Sequence, residues 1–272
     1  MSTVVIPDRE FSSAAGTTAL NFAVRFWFAL AVIGQWLFFY YLIAFYGPTT
    51  LQGNFQAWTK NKLLMKGYVQ GDTAGNIAFA AHALLAAIIA FGGALQLVPQ
   101  IRARAIAFHR WNGRLFIVTA LLVSVSGLYM VWVRGVRTSV LGGLGVSLNG
   151  LLIIVFAVLA WRTAVMRDVA AHRQWALRTY IVANGQWFTR VGFFAWAIAS
   201  HGQYMREFFT FWNFASYLLP LGVLELYLRV EKSARPGERF AMAAGLFLLT
   251  LLMGVGIAGV SAFLWKSVLA RL

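Results

Sequence analysis

The chain has 272 residues, 60% of them hydrophobic and 11% charged, with a mean hydropathy of +0.71. A soluble domain carries roughly 25% charged residues, so most of this chain belongs in lipid. It has no cysteine, which excludes disulfides, thiolate metal centres, iron–sulfur clusters and cysteine nucleophiles.

Seven apolar segments follow in order, at about 22–46, 77–98, 114–133, 141–161, 177–199, 211–228 and 240–265. Each approaches the ~20 residues with which a helix crosses a ~30 Å hydrocarbon core. The expected fold is therefore all-α, a polytopic transmembrane helical bundle of about seven crossings. Residues 1–21 form a polar N-terminal segment, 22–265 one transmembrane domain and 266–272 a tail. The start is polar, with Asp8 and Glu10, and the apolar run after it is long, so a cleaved secretory signal is not expected. The stretch 47–76 is too polar to insert. Phe55, Trp58, Leu63 and Leu64 lie there among Lys60, Lys62 and Lys66, as either a helix at the headgroups or an ordinary surface loop.

Basic residues orient the bundle. One side, with 1–25, 99–114, 162–178 and 229–239, carries 14 of the 23; the other carries 8, and Arg190 lies between. The richer side is expected in the cytoplasm, with the N-terminus inside, the C-terminus outside, and anionic phospholipid headgroups as partners. This distribution accounts for the net charge of +15, so nucleic acid is not an expected partner.

Two stretches echo each other on that side. "AFHRWNGRL" precedes the third crossing and "AAHRQWALR" the fifth. Together with "LQLVPQIRAR" they resemble a family of bacterial multi-pass membrane proteins, domain of unknown function 2306, over roughly the second to sixth crossings. The resemblance implies a multi-pass protein of a bacterial inner membrane. It also implies an arginine in the fifth crossing and a late glutamate in the sixth, matched by Arg190 and by Glu225 in "LPLGVLELYL". It implies no activity.

If the fifth segment is one helix from His172 to His201, then His172, Thr179, Gln186, Arg190 and His201 share a polar stripe that should face the bundle interior. Glu225 is the only carboxylate within a crossing, and counting from the segment ends puts it ~7 Å from Arg190 in depth. The expected buried polar site is an Arg190–Glu225 ion pair with Gln186, serving either packing or function.

On the second crossing, Ala86 and Gly93 lie below His82. They leave a slot for either a neighbouring helix or a flat cofactor. Gln35 and Asn149 either line a cavity or bond between helices. The four histidines sort by topology into an outer pair, His82 and His201, and a cytoplasmic pair, His109 and His172. Two histidines at one depth are what a bis-imidazole haem needs, and Arg110, Arg114, Arg173 and Arg178 would meet its propionates or lipid headgroups. Against haem, His172 and His201 stand roughly 43 Å apart along one helix, at the margins of the membrane. No HxxxH spacing points to a metal, and no pattern singles out a catalytic residue.

Three functions remain. One is a membrane redox protein linked to haem b or quinone. The second is a small-molecule or ion transporter or receptor using Arg190 and Glu225, though without the broken helices common in carriers. The third is a non-enzymatic assembly or partner subunit.

Overall fold

Helix starts and stops are written in short polar signals between the apolar runs. Asp72, Ser139 and Asp168 each accept a bond from the backbone N–H three residues on, which opens three helices. The structure, a computed structural model, describes residues 8–60 and 67–269. Its helices are α1 (Asp8–Leu51), α2 (Thr73–Gln96), α3 (Pro99–Arg104), α4 (Ile106–Trp132), α5 (Val140–Val165), α6 (Val169–Ala183), α7 (Gly185–Ala199), α8 (Met205–Val230) and α9 (Pro236–Leu269). No strand occurs among the described residues. The fold is the expected all-α bundle.

Five helices are each long and apolar enough to cross a membrane: α1, α2, α4, α5 and α9. The other two expected crossings coincide with the α6–α7 pair and with α8, which carries Asn213, Ser216 and Glu225 along its length. Neighbours close a ring. α1 packs on α2, α2 on α4, α4 on α5, α5 on α6 and α8, α8 on α7, α7 on α9, and α9 on α1.

The fifth expected crossing is not one helix. It breaks at Asn184, whose side chain turns back to donate to the Tyr180 carbonyl at 2.8 Å. Asn149 of α5 donates to the Val182 carbonyl at 3.0 Å, satisfying an acceptor near the end of α6. Gly185 opens α7 against Asn149; a Cβ there would lie 2.8 Å from Asn149 Oδ1 and press on the amide that bonds Val182. The azimuth carried from His172 through to His201 is lost at this break. Thr179 is buried, Gln186 is exposed, and His201 sits exposed in the turn after α7 at φ 51.

In the outer stretch, Trp58 is folded into the bundle and does not lie at the headgroups or on the surface. Phe55–Lys60 is a 3-10 turn, and Trp58 is buried against Tyr46 and Phe79, its indole N–H donating to Thr49 Oγ1 at 2.8 Å. Lys62, Leu63, Leu64 and Lys66 lie outside the described residues, as does the C-terminal end of the tail.

Candidate functional site: an arginine in the bundle interior

Arg190 projects from the second turn of α7 toward α1. Its Nη1 donates to the Gln186 carbonyl at 2.7 Å, and its guanidinium carbon lies 5.2 Å from the centre of the Phe38 ring. Tyr41 and Tyr46 of α1 and His82 of α2 are within its electrostatic reach. Among the described residues the ion pairs join Arg134 to Asp72, Arg173 to Glu231, Arg178 to Glu225 and Arg235 to Glu238. Arg190 belongs to none of them. A guanidinium has five N–H donors and keeps its charge at any physiological pH. Here one donor meets a main-chain carbonyl and the ring face takes up part of the charge.

The expected Arg190–Glu225 pair is therefore replaced. Glu225 accepts two bonds from Arg178, Nε to Oε1 at 2.6 Å and Nη2 to Oε2 at 2.9 Å. Counting depth from segment ends placed Glu225 too near the outer end of its helix, which begins at Met205. It lies level with α6, below the break, while Arg190 lies above it. Gln186 contributes its main chain to Arg190 and turns its side chain outward.

His82 faces α4, with Nδ1 2.8 Å from Ser126 Oγ. The Ser126 hydroxyl lies 3.1 Å from the Val123 carbonyl. When that hydroxyl donates there, it accepts from His82 Nδ1–H and leaves Nε2 with the lone pair. Below His82, neighbouring helices pack against Gly93 of α2: a Cβ there would lie 2.8 Å from Phe116 and 3.4 Å from Tyr180. Gln35, fully buried on the face of α1 that also carries Phe38, accepts from the Tyr180 hydroxyl at 3.0 Å. Its Nε2 is buried with no partner among the described residues. Gln35 and Asn149 thus both bond between helices.

The two echoing motifs lie at the same end of the bundle. His109 and His172 are close enough for their charges to interact. His172 Nδ1–H donates to the Ala160 carbonyl at 2.9 Å, and Gln96 donates to the His109 carbonyl at 3.2 Å. His201, in the exposed turn at the opposite end, joins neither cluster. Of the four arginines expected at headgroups or propionates, Arg173 and Arg178 are held by Glu231 and Glu225. Arg110 and Arg114 are exposed and belong to no ion pair among the described residues.

Sequence reasoning passed over Arg134. Its side chain is 4% exposed, lies 3.3 Å from Asp72, and donates to the Gly75 carbonyl and to Asn76 Oδ1. The available signal was the acidic N-cap of α2 facing the basic turn after α4. No group of three or more histidine or acidic side chains able to hold a metal occurs among the described residues.

Residues 79–228 match the family described as "Predicted membrane protein (DUF2306)", more than half of the chain. The chain belongs to that family. It is a multi-pass membrane protein. The matched stretch contains His82, His109, His172, Arg178, Arg190 and Glu225, whereas Gln35 and Phe38 on α1 lie before it. No curated protein and no solved structure matches the chain.

Proposed function

We propose that the protein is a membrane-embedded carrier or receptor for a small anionic molecule, bound at Arg190 between α1, α2 and α7. One observation supports this above the rest. A permanent cation lies among aromatic side chains with a single main-chain acceptor and no carboxylate among the described residues. A charge in an apolar bundle is costly and is usually paired or functional. An anion reaching the guanidinium, with His82 and the buried Gln35 amide on the neighbouring helices, would offset that cost. The α6–α7 break nearly two turns away adds support, because carriers place discontinuous helices beside their binding sites.

The orientation that fits the basic residues is N-terminus inside and C-terminus outside, across a bacterial inner membrane. Flux of a labelled carboxylate into proteoliposomes separates the two forms of the proposal. Arg190-dependent accumulation marks a carrier; saturable binding without flux marks a receptor. Absence of both in wild type ends it.

A redox reading draws on one separate observation, the approach of His109 to His172 with His172 Nδ1 already engaged, which is how metal-bound imidazoles are commonly oriented. Its test is the visible spectrum of the purified protein, oxidised and dithionite-reduced. A Soret band carries the reading forward, and a colourless protein after expression with haem precursor removes haem from it.

A further inference from the structure

We infer that α3 and the first turns of α4 form a seat for an anionic phospholipid, with the lipid tails along α4 and the headgroup phosphate among Arg102, Arg104, Arg110 and Arg114. The tail track is a row of exposed apolar residues at alternating three- and four-residue spacing on α4: Phe108, Trp111, Leu115, Val118, Leu122 and Val125. That spacing keeps one face of a helix. From Trp111 to Leu122 the row is about 16 Å long, one leaflet of hydrocarbon. Trp111, 70% exposed, stands where the row reaches the basic end, the level tryptophan favours at a membrane surface.

The headgroup end is built by charge. Arg110 and Arg114 are one turn apart on α4, and Arg102 and Arg104 close α3, a short helix with no buried residue. All four are exposed. The sequence has no acidic residue between Asp72 and Asp168, so nothing on α2 to α5 competes for them. The contrast with the second motif fixes the location. Its Arg173 and Arg178 are each engaged by two carboxylate oxygens. Two similar sequences have thus diverged in use, one tying α6 to α8 and the other presenting uncompensated charge beside a lipid-facing track. The inference is independent of what binds at Arg190.

The test is thermal unfolding of the delipidated full chain in neutral detergent, titrated with dioleoylphosphatidylglycerol, dioleoylphosphatidylcholine or inorganic phosphate. Phosphatidylglycerol is expected to raise Tm saturably, and the other two to leave it nearly unmoved. Arg102→Gln with Arg110→Gln is expected to raise the phosphatidylglycerol midpoint about 25-fold, about fivefold for each charge lost near a membrane surface. Arg173→Gln, in contrast, lowers the starting Tm and keeps the wild-type midpoint. Equal stabilisation by phosphatidylcholine, or an unchanged midpoint in the double variant, overturns the seat. Stabilisation by inorganic phosphate alone also overturns it, assigning the arginines to a soluble phosphate compound.

Discussion

Arg178 on α6 and Glu225 on α8 are joined by two parallel hydrogen bonds, 2.6 and 2.9 Å long, while the Arg178 guanidinium carbon lies 4.7 Å from the Trp175 ring centre. The fork geometry needs arginine and not lysine. Its carboxylate is more than a third exposed, so the loss on breaking it lies below that of a fully buried pair. Arg178→Ala is expected to cost about 1.5–3 kcal/mol, and Arg178→Lys to recover only part of it, read as a fall in Tm in detergent. Because Arg190 makes no contact with Glu225, Glu225→Gln should leave binding at Arg190 intact.

The opposite end of the bundle depends on Arg134. Its nearly enclosed side chain ties the turn after α4 to Asp72, the Gly75 carbonyl and Asn76, and Asn76 in turn exchanges two bonds with the Val69 backbone. Arg134→Ala strands those groups and is expected to cost about 3 kcal/mol. Asp72→Asn, at a partly exposed position, is expected to cost less. Proteolysis within 67–76 should rise in Arg134→Ala first.

Acid should loosen the α6–α8 end. The Arg173 guanidinium, bonded to both its oxygens, holds the Glu231 carboxyl below the usual carboxylate range, with the Tyr227 hydroxyl assisting. A carboxyl whose pKa is depressed by folding stabilises above its unfolded pKa, near 4.5 here. That contribution is lost as pH falls below this value and through the folded pKa. Tm measured from pH 7 down to pH 3 should fall through this window in wild type. In Glu231→Gln, Tm should start lower and lose the part of the slope due to this group.

Close packing of α7 on α9 rests on Gly256. An added Cβ would lie 2.2 Å from the Val191 carbonyl oxygen, which is backbone and cannot swing aside. Gly256→Ala is expected to cost about 1–3 kcal/mol through overpacking. Gly245 on the same helix has nothing within 4 Å of that position, and Gly245→Ala should stay within about 0.5 kcal/mol of wild type. Paired Tm measurements check the contrast.

Much of this architecture was legible in the residues, for a physical reason. A helix in lipid must bond its own backbone and expose apolar side chains, so α1, α2, α4, α5 and α9 announce themselves as long apolar runs. Basic residues at segment ends likewise put His109 and His172 on one side of the bundle, and Arg173 on the same side as Glu231. The break at Asn184 was hidden inside an equally apolar run. Only the Asn184–Gly185 pair, a common turn signal, marked it, and Asn149 completes the break from another helix. Once the helix breaks, residue spacing no longer carries azimuth across it. Depth counted from segment ends likewise set Glu225 beside Arg190, where the longer α8 carries it down to Arg178. Trp58 was misread because amphipathic composition does not distinguish a residue lying on a membrane from one folded into the bundle mouth.

The central claim, an anion site at Arg190, is tested most directly by equilibrium binding. Purified wild type, Arg190→Gln and Glu225→Gln would be titrated with acetate, succinate, phosphate and chloride, following the fluorescence of Trp187, which lies buried three residues before Arg190, with the Tm of each titrated sample as the check because other tryptophans also emit. The account predicts saturable binding of at least one anion by wild type and by Glu225→Gln, with loss of at least about tenfold in affinity in Arg190→Gln, of the order expected for removing a charged hydrogen-bond donor. Folded Arg190→Gln that binds the same anion with wild-type affinity, or wild type that binds none of the four, would contradict it.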